Sequence, residues 1–270
     1  MNIAVVVATY NRPDALAALL ESYRHQDAGD FELIVADDGS KNDVRVMAED
    51  FARRAPFPVQ HLWHEDKGFR ATVMRNRGLA ATRAEYVIYT DADCVPASDF
   101  VRRHRQLAQR GFFLSGNRVL LSETFTARVL QKHLPLHDWT WADWAAARLH
   151  GDINRLLPLL RLPDGAFRTR APERWAGVQT CNFSAWRADL LAVNGFDEGY
   201  AGRWGLEDSD LAIRLIHSGI KHKNARFGAS VYHLWHREAD KRGFDENQRL
   251  LDNLIASQRS RARVGVDQYL

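Results

Sequence analysis

The chain has 270 residues, 46% of them hydrophobic and 26% charged, with a formal net charge of +3 and two cysteines, Cys94 and Cys181. That composition excludes wholesale disorder and collagen-like repeats. Two cysteines cannot build a disulfide framework, and so small a positive excess does not suggest nucleic acid as the main partner. The length suits one large domain, or one domain carrying an insertion. No window of about 18 apolar residues is present, and Met1-Asn2 runs straight into Ile3–Ala8 without a basic leader, so a cytoplasmic location is expected.

Ile3–Ala8 reads as a strand buried on both faces. Pro13 can open the next helix, in which Leu16, Leu19, Leu20 and Tyr23 recur at helical spacing. A strand over Phe31–Ala36 ends at Asp37-Asp38-Gly39-Ser40. It is followed by a helix over Asp43–Arg54, a strand over Val59–Trp63 and a helix over Phe69–Ala81. A fourth strand, Tyr86–Thr90, ends at Asp91-Ala92-Asp93, and Ser98 is expected to cap a helix over Asp99–Arg110. The β-α-β-α alternation predicts an α/β fold with a mostly parallel sheet flanked by helices, and ligands outside the carboxyl ends of its strands. The stretch 118–172 is Trp- and Arg-rich and punctuated by proline, which suggests a helical insertion over those strand ends. Beyond it come a loop over Gly195–Arg203 and a helix over Leu206–Ser218, stopped by Gly219. A strand over Phe227–Tyr232 leads to His233-Leu234-Trp235-His236, and the tail from Glu238 is polar and helical.

Asp91-x-Asp93, just past a buried strand, can aim two carboxylates at one point. Carboxylate oxygens suit Mg²⁺ or Mn²⁺, which keep positions open for phosphate oxygens. A turn in which aspartate caps the next element explains the same residues. Four segments together resemble a family 2 glycosyltransferase of the GT-A (Rossmann-like) fold, the group that includes chondroitin-polymerase-type and lipopolysaccharide transferases. They are Val7-Ala8-Thr9-Tyr10-Asn11-Arg12, Asp37-Asp38-Gly39-Ser40, Gly68-Phe69-Arg70 with Arg75-Asn76-Arg77-Gly78 leading to Asp91-Ala92-Asp93, and Trp204-Gly205-Leu206-Glu207-Asp208-Ser209-Asp210. The last also resembles the W-G-G-E-D segment of galactosyltransferases.

The resemblance implies a nucleotide-sugar-binding half over 1–117 and a helical insertion or lid over 118–174. An acceptor-binding and catalytic half over 175–240 and a helical tail over 241–270 would follow. It implies donor binding by Thr9, Tyr10, Arg12, Asp38, Lys67, Arg70, Arg75, Asn76, Asp91, Ala92 and Asp93. Helical phase lets at most one of Arg75 and Arg77 point inward, and Arg75 is favoured. Asp93, Asp91 and His233 would hold Mn²⁺ or Mg²⁺, with His236 as the alternative histidine. Asp208 would be the base of an inverting transfer from a UDP-sugar to a saccharide, with Glu207, Asn182 and Trp204 near the acceptor. The two cysteines read as buried structural residues. The acceptor could be lipid-linked, with Trp139, Trp141, Trp144, Leu156, Leu157, Leu159 and Leu160 as a membrane docking face. The same residues read equally as a lid packed on the core. Two competing readings are an aspartyl-phosphate phosphatase, on Asp91-Ala92-Asp93-Cys94-Val95, and a non-catalytic carbohydrate- or nucleotide-binding module.

Overall fold

A computed structural model describes residues 1–237 and 243–270. Strands β1 (Ile3–Thr9), β2 (Phe31–Asp37), β3 (Val59–Trp63) and β4 (Tyr86–Asp91) pair in parallel in the order β3-β2-β1-β4. Their apolar runs are continuous because helices cover both faces. Val5 and Val7 of β1 pack in one core with Leu16, Leu19 and Leu20 of α1 (Pro13–Arg24). Val6, between them, packs in the opposite core with Met74 and Leu79 of α3 (Ala71–Ala81). Gly78 permits that approach, since a Cβ there would lie 2.6 Å from Val6 Cγ1. Helix α2 (Asn42–Ala52) sends Val44, Ala48 and Phe51 into the first core.

The sheet continues through β8 (Phe183–Trp186) and β6 (Phe112–Ser115) to the edge strand β9 (Lys221–Asn224). Of its seven strands only β8 runs against the rest. A three-stranded sheet of β5 (Cys94–Pro96), β10 (Ser230–His233) and β7 (Asn117–Leu120) stands beyond β4. One face of it, Val95, Val119 and Tyr232, packs against Phe125 of α5 (Glu123–Lys132) and Trp144 of α6 (Trp141–Leu149). Trp144 stacks on Tyr232 with 4.4 Å between ring centroids. The helical segment is thus built on the small sheet, although Trp141 and Leu157 stay exposed. Register places Cys94, His233 and Leu120 in one row across the sheet and Pro96, Val231 and Arg118 in the next, on the face opposite Tyr232.

Several boundaries differ from expectation. Ser98 does not cap α4 (Phe100–Leu107); Asp99 occupies that position without a side-chain bond, and extended backbone at Ala108 ends the helix before Arg110. Leu206, at φ 73°, lies outside α8 (Glu207–His217), and Phe227, at φ 58°, delays β10 to Ser230. Gly195–Arg203 contains a short 3-10 turn at Glu198–Tyr200. The start of the expected helical tail at Glu238 lies outside the described residues. Helix α9 (Phe244–Ser257) ends at left-handed Gln258, and beyond it only Val266–Tyr269 form a 3-10 turn. Helix α7 (Arg187–Ala192) follows β8 directly.

Candidate active site

The chain leaves β1 toward β2 and β3, then returns to β1's other side as β4. That reversal opens a crevice at the carboxyl ends of β1 and β4, where ligands bind in open parallel sheets. A cleft of about 800 Å³ occupies this position. Its walls include Thr9, Tyr10, Arg12 and Asp38 from the first two strand ends and Asp91, Ala92 and Asp93 from the fourth. Trp204–Ser209 come from the start of α8, and His233, Trp235 and His236 from the end of β10. Asp91 with Asp93, Asp208 and His233, from three distant parts of the sequence, therefore face one space.

At its centre Arg75 of α3 reaches three carboxylates. Its Nη2 donates to Asp91 Oδ1 at 2.8 Å, and its Nη1 lies 3.5 Å from Glu207 Oε1 and 3.7 Å from Asp208 Oδ1. The side chain is 6% exposed. Although burial disfavours the charge, the carboxylates hold the guanidinium protonated well above its ordinary range. Burial and the Asp208 charge push Glu207 up to about 7, and its Oε2 has no hydrogen-bond partner among the described residues. Asp208 is also raised by burial, against the opposing pull of Arg75 and of the Thr180 hydroxyl, which donates to Oδ1. A left-handed turn at Gly205 (φ 99°) and Leu206 (φ 73°) aims this acidic pair, and Asn247 Nδ2 of α9 donates to Gly205 O at 2.7 Å.

The main-chain N–H of Leu234 donates to Asp93 O at 2.8 Å and so draws the end of β10 against the acidic turn. Asp93 then faces two histidines: Oδ1 is 3.9 Å from His233 Nε2 and Oδ2 is 3.3 Å from His236 Nε2. Cys94 Sγ, 3.4 Å from Asp93 Oδ1, completes a group of potential ligand atoms within 4.8 Å of one another with Asp93 and His233. Burial pushes His233 down, toward the neutral imidazole that a metal requires. Asp93 with the two imidazoles fits a divalent cation, whereas burial raises the Cys94 thiol well above its ordinary pKa and keeps it protonated. Asp91 turns instead to Arg75. Cys94 and Cys181 are both buried and unpaired.

At the other end Tyr10 is half exposed, with its hydroxyl donating to Asp66 Oδ2 at 2.9 Å. Asp38 is buried, its pKa raised by desolvation. Thr9 lines the cleft with a buried hydroxyl lacking a partner among the described residues. Arg12 lines it too but is paired with Asp14.

Four expected residues lie off the cleft. Lys67 is exposed beside Glu65, and the Arg70 guanidinium donates to Glu65 O. Asn76 is consumed internally: Nδ2 donates to Phe196 O and Glu198 Oε1, and Oδ1 accepts from Phe196 N. Asn182 likewise accepts from His104 Nε2 and donates to Asn117 O and Ala229 O. Both amides are held by buried protein partners rather than solvent, so neither can reach a ligand without breaking buried bonds. Sequence reading missed Thr180, which holds Asp208, and Arg118, which lines the cleft without a carboxylate partner among the described residues. Thr180 has no motif to mark it, and only the β7–β10 register places Arg118 near His233.

Comparison with known proteins agrees with this architecture. The family model described as glycosyl transferase family 2 matches residues 4–159, and one described as the N-terminal domain of galactosyltransferase matches 166–237. Validoxylamine A glucosyltransferase of Streptomyces hygroscopicus subsp. jinggangensis is 29% identical over 226 residues, covering 81% of this chain and 52% of that protein. Chondroitin synthase of Escherichia coli is 26% identical over 252 residues, covering 86% of this chain and 34% of that protein. The chain thus spans about half or less of the length of these relatives. Among solved structures, S. aureus TarS matches the whole chain and 41% of its own, with a TM-score of 0.63 at 17% identity. A mannosyltransferase from Pyrobaculum calidifontis, solved with GDP-Man and Mn²⁺, matches 90% of this chain and 59% of its own, with a TM-score of 0.59 at 18% identity. With a mainly parallel sheet of the GT-A type and a family match over more than half its length, the chain belongs to glycosyl transferase family 2.

Proposed function

We propose that the chain transfers a sugar from a UDP-sugar to a saccharide acceptor with inversion at the anomeric carbon, with Mn²⁺ or Mg²⁺ as cofactor. The observation that carries this reading is the convergence of Asp91, Asp93, Glu207, Asp208 and His233 on one cleft at the sheet's switch point. The described lining holds five carboxylates (Asp38, Asp91, Asp93, Glu207, Asp208) against three guanidinium groups (Arg12, Arg75, Arg118). Such a lining repels a diphosphate unless a further cation joins it. Asp93, His233 and His236 are the residues that would hold that cation, which supplies positive charge against the departing diphosphate. The neighbour solved with GDP-Man and Mn²⁺ supports this chemistry, as does TarS 1–349 solved with UDP-GlcNAc.

Asp208 is the base in this reading. It takes the proton of the acceptor hydroxyl while the oxygen attacks opposite the diphosphate. Thr180 and Arg75 fix its carboxylate; Glu207, more buried, faces sugar hydroxyls. Tyr10 stacks on the base, and Trp204, Trp235 and Phe244 offer aromatic faces to the acceptor. Polysaccharide or lipopolysaccharide synthesis suits the polysaccharide synthase among the relatives. A lipid-linked acceptor at the inner face of the membrane would meet the exposed Trp141, Leu157 and Leu160. No helix among the described residues is long and apolar enough to cross a membrane.

Titration calorimetry and thermal unfolding with UDP test the donor reading. Stabilisation and binding heat are expected with Mn²⁺ and much less without it. Absence of both in the presence of Mn²⁺ refutes the reading. The phosphatase alternative needs Asp91 free as a nucleophile, whereas Arg75 holds its Oδ1 at 2.8 Å.

A further inference from the structure

The two adjacent aspartates at the end of β2 are each matched by a histidine from β3 or just beyond it. Asp37 is fully buried and serves its own loop: Oδ1 accepts from Ser40 N at 2.8 Å and Oδ2 lies 3.0 Å from His61 Nε2. Asp38 differs in that it lines the cleft. Its Oδ1 is 2.7 Å from His64 Nε2, and its Oδ2 accepts from the main-chain N–H of Arg70 at 2.7 Å. An ionised carboxylate only accepts, so His64 Nε2 carries the hydrogen. Two donors from separate segments thus fix the plane of the carboxyl group and stabilise its charged form. Burial works in the opposite direction and raises the Asp38 pKa. Each oxygen keeps a second lone pair, and the half-exposed ring of Tyr10 stands on the same cleft wall.

We propose that His64 is the positioning residue for nucleobase selection: with the Arg70 N–H it locks Asp38 as an acceptor-only group that takes a base bearing a ring N–H on its pairing edge, as uracil does, and rejects cytosine. Uracil N3 carries a hydrogen that Asp38 can accept. Cytosine N3 presents a lone pair to the same carboxylate, a repulsive contact that is worst when Asp38 stays ionised. Loss of the His64 donor frees the carboxyl group to rotate and, being buried, to take a proton. A protonated Asp38 can donate to cytosine N3. His64 therefore controls discrimination between bases and not only affinity. The inference rests on the nucleoside diphosphate donor proposed above.

The test is calorimetric binding of UDP and CDP, each with Mn²⁺, to the wild type, His64→Leu and His64→Gln. The wild type is expected to prefer UDP. His64→Leu should shrink the UDP-to-CDP affinity ratio about ten- to hundredfold, the range for one hydrogen bond to a charged group. His64→Gln keeps an N–H donor of similar reach and should restore most of the ratio. Equal weakening of both ligands in His64→Leu, with the ratio unchanged, assigns the histidine a purely structural role and overturns the proposal. If His64→Leu does not fold, Asp38→Asn decides: an amide that can donate should move the ratio toward CDP, and an unchanged ratio overturns the proposal. A wild type that binds UDP and CDP equally overturns this inference while leaving the donor reading standing. A wild type that binds neither removes both.

Discussion

Arg75→Met is the sharpest perturbation of the acidic centre. Methionine keeps much of the stem volume and removes the charge facing Asp91, Glu207 and Asp208 at 2.8, 3.5 and 3.7 Å. Breaking a buried ion pair by deleting one partner costs about 3–5 kcal/mol, because the remaining charge is left uncompensated. For a chain of this size, at about 2.1 cal/mol/K per residue, that loss lowers Tm by about 5–9 °C. The cost depends on pH. Glu207 already titrates near 7 in the folded protein against an ordinary 4.5, so its contribution to stability is full below about 4.5 and is lost as pH rises through 7. Without Arg75 the Glu207 pKa rises further and the loss steepens. Thermal unfolding without donor or metal should therefore show a larger Tm deficit for Arg75→Met at pH 8 than at pH 5.5, where a proton on Glu207 replaces part of the missing charge. Arg75→Lys, which keeps the charge but not the fork, should fall between. A deficit below about 2 °C at both pH values, or one independent of pH, refutes the view that Arg75 holds the three carboxylates together.

Asp208→Asn should lower the rate of UDP-sugar turnover by about 10²–10⁴-fold, the usual span for a general base, while UDP affinity stays within a few-fold of wild type by calorimetry. Thr180→Val removes the hydroxyl that donates to Asp208 and should lower turnover about tenfold, with the acidic limb of the pH–rate profile shifted upward. His104 is fully buried; its Nδ1 accepts from Ser184 Oγ, its Nε2 donates to Asn182 Oδ1, and burial lowers its pKa from 6.5 to about 4. Stability from this group is complete above 6.5 and is lost as pH falls toward 4, up to about 3 kcal/mol, so His104→Gln should flatten the denaturation midpoint over that window. Gly205→Ala places a Cβ at φ 99°, 3.3 Å from the Phe244 ring; it should cost about 1–2 kcal/mol and reduce turnover by moving the acidic pair.

The parts of this structure legible in the sequence are those with long local signals. Ile3–Thr9 and Tyr86–Asp91 are apolar runs buried on both faces, and the polar loops ending them sit where a parallel sheet puts its ligands. Helical phase correctly separates buried Arg75 from half-buried Arg77, but nothing in the spacing says that Arg75 faces carboxylates of its own chain. The strands missed, β5 to β9, are three or four residues long, too short for periodicity to register. β9 reads Lys-His-Lys-Asn, with no apolar residue to mark it: His222 and Lys223 are buried, but Ser115 Oγ and the Asp164 carboxylate satisfy them. Asn76 and Asn182 mislead for a related reason. A polar residue beside a motif looks like a ligand contact, yet both amides spend their hydrogen bonds on buried groups of the chain itself, Asn76 on Phe196 and Asn182 on His104, Asn117 and Ala229.

The acidic pair at the start of α8 owes its placement to elements from both ends of the chain. Thr180 approaches from the segment before β8, Arg75 from α3 between β3 and β4, and Asn247 from α9 near the end. Left alone, Leu206 in the left-handed region costs about 1–2 kcal/mol, and two adjacent carboxylates beside Asp91 repel one another. The three contacts offset those costs only when the whole chain is folded, since none lies within 25 residues of Glu207-Asp208. The strain and the like charge are thus tolerated where the two carboxylates line the cleft. The same logic explains why Glu207 Oε2 and the Thr9 hydroxyl, both in residues lining the cleft, are left without partners among the described residues. A buried polar atom left unpaired costs free energy unless something that enters the cleft satisfies it.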